Sequence, residues 1–426
     1  MKLDYGKNGI ELGIDPNWNT KIIQPVDQFP IENQIEAIRN AIKNPIGNSS
    51  LKAIIKVKKK IKSVCIVVSD ATRPVPTHQI LEGLLKELTN YGILHKNILI
   101  LIATGLHRPT HKEELNRILG KVLTSDIKVI NHNATDTKSL VPIYNSHHED
   151  PVHINKFYCE SDLKILTGYV EPHFFFGFSG GYKSIIPGLA GAETILSNHS
   201  AENIASPYAR FGIHENNPLA EHSSRHAKLV GVDFTINVCI NNNHEITQVA
   251  AGDLEIVHKR LINYQKKQIF KEIQESFDIV ICGNGGYPLD LNLYQAVKSM
   301  AIGEIGVKRG GTIISVNECR EGVGVGQDMF KKLIFSGMNP EEIYKKILNK
   351  ELVVPDQWQI QVLTRILMKS DIYVVSDMKE EEIGNIGLKY ANTVEDAIKH
   401  SLIKHGKDAS ILMLPNGPQI LPFINI

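Results

Sequence analysis

Residue types that could do chemistry gather near the middle of the chain, in the segment HFFFGFSGGYK from His173 to Lys183, with His199 a short distance downstream. Three consecutive phenylalanines can exclude water, and Gly180 and Gly181 let the backbone approach a ligand closely. Two imidazoles and one amine lie around this glycine hinge. The segment therefore predicts a cofactor or metal site.

The same segment nearly matches the phosphate-binding P-loop, because Lys183 and Ser184 follow a run of glycines. However, Tyr182 stands where the pattern requires a glycine before the lysine, and a side chain there would obstruct the backbone around the phosphates. A nucleoside triphosphatase stays an alternative that the sequence supports poorly. Residues 322–326 (GVGVG) match the dinucleotide-binding fingerprint only in part, and they are weak evidence for NAD.

Two loops that each follow an apolar run carry further candidates. Asp70 and Arg73 come directly after residues 63–69 (SVCIVVS), and His107 comes just after residues 98–103 (ILILIA). Arg73 can bind a carboxylate or phosphate through two parallel hydrogen bonds, and a histidine can act as general base or acid near neutral pH. A surface Asp–Arg pair and a helix-capping histidine are the alternatives. The position of the first loop after a buried strand favours a functional role for Asp70 and Arg73, whereas for His107 taken alone both readings stay open.

A fourth group lies in the second half of the chain, behind the glycine-rich stretch GNGGYPLD. Tyr294, Gln295 and Lys298 fall on a predicted helix, with Tyr294 and Lys298 one turn apart on the same face. A phenol, an amide and an amine near the start of a helix could bind a small carboxylate with help from the helix dipole. The alternative is an ordinary solvated helix face. Other histidines, His222 with His226 and the 147–148 pair, lack carboxylate or thiolate neighbours and are predicted to be surface residues.

Short β-branched runs alternate with longer amphipathic segments, which is typical of βαβ units around a parallel sheet. The predicted strands are 63–69, 98–103, 127–130, 163–167, 278–282, 311–316, 371–376 and 410–414. A charged amphipathic helix over 253–270 is the predicted linker. We therefore predict an α/β protein of two doubly wound, Rossmann-like domains at 1–270 and 271–426. Ligands of such sheets bind beyond the carboxyl ends of the strands, so the active site is expected in a cleft between the domains.

Composition narrows the possible partners. The 426 residues are 42% hydrophobic and 22% charged, as in ordinary globular proteins of two or three domains. The formal net charge of +1 gives no support for nucleic acid or an anionic membrane as partner, so a small molecule is expected. Five scattered cysteines without a C-x-x-C pair fit a reducing cytoplasm. No apolar stretch approaches a membrane span, and neither export nor membrane anchoring is predicted.

The motifs SDATRPVP, ATGLHRP, HFFFGFSGGYKSIIPG, SNHS, NGGYPLDLNLYQAVK and PDQW, in this order, resemble the nickel-dependent lactate racemases over nearly the whole chain. The resemblance implies a two-domain α/β isomerase that racemises lactate or a related 2-hydroxy acid. It also implies a covalently bound nickel-pincer nucleotide, a pyridinium-3-thioamide-5-thiocarboxylic acid mononucleotide that holds Ni. Proteins that make and load this cofactor are then expected partners.

The resemblance also assigns roles to residues of this sequence. It places the cofactor-bearing lysine at Lys183, the nickel ligand at His199, and the acid/base histidines at His107 and His173. It implies cofactor contacts from Asp70, Thr72, Gly180, Gly181 and Trp358, and substrate contacts from Arg73, Tyr294, Gln295 and Lys298.

Elementary chemistry agrees with a cofactor of this kind. The α-hydrogen of a 2-hydroxy acid is too weakly acidic, beside a carboxylate, for removal by histidine alone. Hydride transfer avoids the carbanion, and because no side chain accepts hydride a cofactor is required. The hypothesis is that one histidine takes the hydroxyl proton as hydride passes to the cofactor and leaves a flat 2-keto acid. Hydride then returns on the other face of the keto acid, and the second histidine returns the proton. An NAD-dependent 2-hydroxy acid oxidoreductase and a noncatalytic nucleotide- or carboxylate-binding protein are the alternatives.

Overall fold

The computed structural model describes residues 1–26, 28–120, 126–144 and 151–424, and the histidines at 147–148 lie outside these ranges. The chain forms two compact units, one made of Met1–Val26 with Lys267–Ile426 and the other of Asp27–Lys266. This differs from the predicted division at 1–270 and 271–426, because the first 26 residues belong with the second half of the chain. We call the two the C-terminal unit and the central unit.

Strands and helices alternate along most of the chain. The strands are β1 Lys2–Leu3, β2 Ile10–Glu11, β3 Asn19–Ile22, β4 Val64–Ser69, β5 Ile98–Ala103, β6 Lys128–Asn131, β7 Leu140–Ile143, β8 Val152–Asn155, β9 Leu163–Tyr169, β10 Pro172–His173, β11 Gly177–Phe178, β12 Phe234–Ile240, β13 Ile246–Gly252, β14 Phe270–Ile273, β15 Phe277–Gly283, β16 Val307–Val316, β17 Asp371–Val375, β18 Leu388–Tyr390, β19 Ser410–Leu414 and β20 Leu421–Ile424. The helices are α1 Gln34–Lys43, α2 Leu51–Lys58, α3 Thr77–Asn90, α4 Lys112–Leu119, α5 Lys156–Cys159, α6 Ala192–Asn198, α7 Ala201–Ala205, α8 Pro218–Val230, α9 Leu254–Ile269, α10 Leu293–Gly306, α11 Asp328–Ile334, α12 Pro340–Leu348, α13 Gln357–Leu367 and α14 Val394–His405. None of the helices in the described ranges has the length and apolar character that a membrane span requires.

The central unit is built on a six-stranded sheet in the order β13, β12, β9, β4, β5, β6. Only the edge strand β13 runs antiparallel to its neighbour. On β4, Val64, Ile66 and Val68 pack with α1 and α3, whereas Cys65 and Val67 face the opposite cluster that includes α6 and α8. Because both faces of the sheet are covered, the strand is apolar almost throughout, as the sequence predicted.

The C-terminal unit contains a second six-stranded sheet, in the order β18, β17, β16, β15, β19, β3, and all its strands are parallel. The edge strand β3 explains why the first residues join this unit, since Asn19–Ile22 pairs with Ser410–Met413 of β19. Helix α14 packs on one face with Ile279 and Ile314, and α10 packs on β15 and β16. The predicted α/β class with parallel sheets is thus confirmed.

Candidate functional site

Three loops of the central unit converge beyond the carboxyl ends of β4, β5 and β9. Ser69 and Ala103, the last residues of β4 and β5, pair directly in the sheet. Past β5, the backbone N–H of Gly105 donates to the carbonyl of Gly188, 3.0 Å away, which lies in the turn that follows Lys183. The sheet edge therefore gathers candidates that are far apart in sequence.

The first group at this edge is a carboxylate paired with a histidine. Asp70 is only 5% exposed, and its Oδ2 atom lies 3.0 Å from Nδ1 of His107, whose side chain is half exposed. The backbone N–H of Thr72 donates to the other carboxylate oxygen at 2.7 Å. Burial by itself would raise the pKa of Asp70, but His107, Thr72 and the charge of Arg73 outweigh it and hold the pKa below its ordinary value. Asp70 is thus an ionised partner for the His107 ring.

Arg73 adds positive charge beside this pair. Its backbone N–H donates to the carbonyl of Asp70 at 3.2 Å, and its guanidinium acts electrostatically on both Asp70 and Tyr169. Tyr169 is buried and donates its hydroxyl hydrogen to Glu171. Burial, together with the Glu171 charge, raises the pKa of Tyr169 well above its ordinary value, so this phenol stays protonated. Arg73 therefore brings a cation to the same edge of the sheet.

The second group is a row of aromatic rings that links His173, Lys183 and His199. The ring of His173 packs edge-on against Phe175 at a centroid distance of 4.7 Å, and Phe175 packs edge-on against His199 at 5.3 Å. The Nζ atom of Lys183 lies 5.1 Å from the centroid of Phe176. The structure thus brings the predicted lysine, metal ligand and one acid/base histidine together around two phenylalanines.

His199 has the features of a metal ligand. It is 6% exposed, and its Nδ1 atom lies 3.2 Å from the carbonyl oxygen of Ile195, one helical turn earlier. Burial first, and then the charge of Lys183, lower its pKa from 6.5 to about 3. The ring is therefore neutral, and a hydrogen bond from Nδ1–H to Ile195 assigns the lone pair to Nε2. Metal-binding histidines typically donate their second ring N–H in this way.

The turn before Lys183 depends on two glycines in left-handed backbone conformations. The φ angles are +72° at Gly180 and +55° at Gly181. A Cβ atom would lie 2.6 Å from the carbonyl oxygen of Tyr169 at the first position and 2.5 Å from the ring of His258 at the second. Both glycines are thus required for packing within the protein, and their predicted contact with a cofactor stays a prediction. Residues Gly181–Ser184 form a short 3-10 turn rather than the long helix that starts a P-loop.

The C-terminal unit carries the remaining candidates at the start of α10. Asn292 caps this helix by accepting a hydrogen bond from the backbone N–H of Gln295 at 3.0 Å. The Tyr294 ring packs edge-on against Phe330, and the Trp358 side chain lies close enough to the Tyr294 hydroxyl to act on its pKa. Burial raises the pKa of Tyr294. Lys298 follows one turn later on the same helix. The structure thus brings together Tyr294 and Trp358, which the sequence places far apart.

The glycine-rich stretch 322–326 contacts the start of α10 through its carbonyl groups. The carbonyl oxygens of Gly322 and Val323 accept hydrogen bonds from the backbone N–H groups of Leu293 and Tyr294 at 2.9 and 3.1 Å. A dinucleotide fingerprint instead directs helix N–H groups at a pyrophosphate. This arrangement does not favour NAD.

Two residues that sequence reasoning missed support the central group. Asn237 lies 1% exposed in the middle of β12, and His258 lies 3% exposed on α9; both contact the turn that leads to Lys183. A polar amide inside the apolar run FTINVCI was the signal that could have identified Asn237.

The expectation that His226 is a surface residue was wrong. It is 1% exposed because its face of α8 packs into the core, while His222 is partly buried.

The fold and this site are those of an α/β protein that presents a lysine, a neutral buried histidine and two further histidines at the carboxyl edge of a parallel sheet. Residues 5–212 match the family described as the lactate racemase N-terminal domain, and residues 272–421 match the lactate racemase C-terminal domain. The chain belongs to the lactate racemase family.

Individual relatives agree with this membership. The chain is 36% identical to a lactate racemase of Thermoanaerobacterium thermosaccharolyticum over 91% of its length and 90% of the relative. It is also 36% identical to a lactate racemase of Lactiplantibacillus plantarum, over 98% of both chains. The structure of the lactate racemase apoprotein from T. thermosaccharolyticum superposes with a TM-score of 0.91 at 33% identity and covers 99% of each chain. A protein from Thermotoga maritima, with a TM-score of 0.66 at 19% identity over 92% of this chain and 98% of its own, shares the fold.

Proposed function

We propose that this protein interconverts D- and L-lactate, with a nickel-pincer nucleotide attached covalently to Lys183. The observation that carries the proposal is the grouping of Lys183, the neutral His199 and His173 around Phe175 and Phe176 at the edge where Asp70 and His107 also lie. The activity follows the names of the relatives, whose sequences match along nearly the whole chain.

The residues present fit such a cofactor. Lys183 supplies an amine for covalent attachment. It lies close enough to His199 for its positive charge to lower the pKa of that ring. His199 offers an imidazole nitrogen, a ligand type that suits nickel. When bound, the cofactor supplies the hydride acceptor that no side chain provides.

The hydrogen bonds of the other two histidines support complementary roles in proton transfer. Because a carboxylate only accepts hydrogen bonds, the bond to Asp70 fixes the proton of the neutral His107 ring on Nδ1 and leaves the lone pair on Nε2. In His173, Nδ1 accepts a hydrogen bond from the backbone N–H of Phe176 at 3.2 Å, so the neutral ring carries its proton on Nε2. His107 then begins as the base that takes the hydroxyl proton of the substrate. His173 would act as the acid only as an imidazolium, with a proton on Nδ1 in place of the hydrogen bond from Phe176, and it would return its Nε2 proton to the keto acid and become neutral. Exchange of these roles serves the opposite enantiomer.

The chain offers two cations as candidates for substrate binding. Arg73 lies beside Asp70, and Lys298 lies one turn from Tyr294 on α10; a guanidinium or an ammonium group can hold a carboxylate. Gln295 offers an amide for the hydroxyl group. The predicted cleft between two Rossmann-like domains stays a prediction. If it exists, double substitution of Arg73 and Lys298 should affect lactate binding non-additively.

The phenylalanines would keep water from the reacting centre. Phe174, Phe175, Phe176 and Phe178 are all at most 5% exposed. The first three pack against the ring of His173, and Phe175 and Phe176 also pack against His199. Water excluded in this way cannot intercept hydride or hydrolyse the bond to Lys183. The aromatic run therefore serves both the reaction and the attachment.

Intact mass tests the proposal most directly. The wild type and Lys183→Arg would each be co-expressed with the cofactor-making enzymes, since arginine keeps the positive charge but cannot form the thioamide. We expect an adduct of nucleotide mass and lactate racemisation in the wild type, with both lost in the variant. Full racemase activity in an unmodified wild type would refute the attachment. Release of a keto acid only when NAD is added would instead support an oxidoreductase, and ligand binding without any turnover would support a noncatalytic protein.

A further inference from the structure

The turn that presents Lys183 is held by polar groups from two elements outside the predicted site. In this turn, Ser179–Lys183, the backbone N–H of Gly181 is hydrogen-bonded to a side chain of β12, and the carbonyl group of Ser179 is hydrogen-bonded to a side chain of α9. Lys183 itself closes the turn, because its backbone N–H donates to the carbonyl of Gly180 at 3.1 Å. The direction in which the lysine leaves the backbone therefore depends on these anchors.

The first anchor is Asn237 of β12. Its Oδ1 atom accepts a hydrogen bond from the backbone N–H of Gly181 at 3.0 Å, and its Nδ2 group donates to Oγ1 of Thr235 at 3.0 Å. The side chain is 1% exposed, and in the sheet Asn237 pairs with Gly168 of β9. An amide is costly in such a place unless it is hydrogen-bonded. Here both of its polar atoms are engaged, one of them with the turn.

The second anchor is His258 of α9. Its Nε2–H donates to the carbonyl oxygen of Ser179 at 2.9 Å, and its ring fills the space that a side chain at position 181 would need. One face of α9 is directed at this region, since Gln265, two turns later, donates to the carbonyl oxygen of Val170 at 2.7 Å. Burial, and next the charge of His214, lower the pKa of His258 to about 3, so the ring stays neutral.

Together the anchors fix a conformation that the backbone would not keep by itself. Two successive glycines have φ in the left-handed region, and because glycine adopts positive and negative φ about equally readily, the backbone alone does not select this conformation. The hydrogen bonds of Asn237 and His258 act on the two peptide groups that flank Gly180. Loss of either one frees the turn, and with it the orientation of the Lys183 side chain.

We propose that Asn237 and His258 are positioning residues that orient the Lys183 amine for attachment of the cofactor. This inference rests on the proposed function, in which Lys183 carries that cofactor. Neither residue touches the substrate or the metal ligand in this arrangement; both act through the backbone of residues 179–181.

The test compares two replacements of His258. Leucine removes the N–H donor, whereas glutamine keeps a donor where Nε2 lies. His132→Leu is the matched control, because His132 is 2% exposed and also bonds a backbone carbonyl through Nε2, that of Ala190 at 2.9 Å, outside the turn. In protein co-expressed with limiting cofactor-making enzymes, we expect the fraction with adduct to fall at least about tenfold in His258→Leu. It should stay near the wild-type value in His258→Gln and His132→Leu.

A second measurement does not depend on the cofactor. In the protein made without cofactor, the rate of Lys183 acetylation by an amine-reactive ester, measured by peptide mass spectrometry against surface lysines, should change at least about threefold in His258→Leu and return in His258→Gln. Asn237→Ser should change it likewise, and this variant decides the matter if His258→Leu does not fold. Unchanged acetylation and adduct in folded His258→Leu and Asn237→Ser would overturn the inference. If the wild type carries no adduct, the proposed function fails, and the acetylation rates alone decide whether the turn is positioned as we infer.

Discussion

Replacing Asp70 with asparagine should slow lactate racemisation without unfolding the protein. The new side chain keeps the volume of the old one, but its single amide oxygen can accept a hydrogen bond from Nδ1–H of His107 or from the backbone N–H of Thr72 and not from both. What disappears is the negative charge that, in the proposed mechanism, balances the imidazolium formed when His107 takes the proton of the substrate. The loss therefore appears in the transition state more than in substrate binding.

The size of the effect follows from the contact. A hydrogen bond to a charged group contributes about 1.5–3 kcal/mol. The Asp70 carboxylate is buried, but the imidazole side chain is 47% exposed, so solvent screens part of the interaction. We therefore take about 1–2 kcal/mol, which corresponds to about a 5- to 30-fold fall in kcat/KM. KM should change little, because Asp70 acts on His107 and not on the lactate carboxylate.

Chiral analysis of lactate from either pure enantiomer, normalised to the fraction of protein that carries the cofactor, gives the required rates. Because the enantiomers have equal free energies in solution, kcat/KM must fall equally in both directions, which checks the assay internally. Glu114→Gln is the matched control. Glu114 of α4 pairs at 2.7 Å with Arg108, the neighbour of His107 in the loop, and not with His107 itself. An Asp70→Asn protein that racemises lactate at the wild-type rate would refute the role of this pair.

Two further predictions concern pH and substrate binding. Between pH 6.5 and about 3 the unfolded chain binds a proton at His258 that the folded chain does not, so the free energy of unfolding should fall as the pH is lowered through this window. His258→Leu should flatten that slope by up to about 1.4 kcal/mol per pH unit in urea denaturation, and an unchanged slope would show that the histidine is not held neutral. Lys298→Ala should lower kcat/KM for lactate by about 10- to 150-fold if its amine binds the carboxylate. Lys308→Ala, which breaks an exposed ion pair with Asp278, should leave kcat/KM unchanged, and equal losses in the two variants would contradict the assignment of Lys298.

The elements that the sequence predicted best are those whose apolar pattern is uninterrupted. Ile98–Ala103 and Ser410–Leu414 occur at the predicted bounds, as does the helix Lys112–Leu119. Strand β16 instead begins at Val307, before the predicted 311, because Gly310 and its polar neighbours resemble a turn. Strand β3 was missed because its exposed, mostly polar residues carry no period, and only pairing with β19 identifies it as a strand.

The candidate site was predictable where the chemistry lies in side chains close together along the chain. The motif from His173 to Lys183 brought its own glycines and aromatics, and loops that follow adjacent strands of a parallel sheet must lie near one another. The anchors of the turn were not predictable in this way. His258 resembles any polar residue on a charged amphipathic helix, and its function depends on packing against Gly181, which is 77 positions earlier in the sequence.

In the proposed function the histidine side chain serves three different purposes, and local hydrogen bonds decide which. In each histidine the Nδ1 atom has a fixed partner. Asp70 accepts from His107, the backbone N–H of Phe176 donates to His173, and the carbonyl of Ile195 accepts from His199. These partners place a lone pair on Nε2 of His107 and His199 but a proton on Nε2 of His173. Burial then separates the first two, because it keeps His199 neutral, as a metal ligand must be, whereas His107 is half exposed and pairs with a carboxylate. In the proposed function, a base, an acid and a ligand thus arise from one residue type through the backbone and carboxylate groups that surround it.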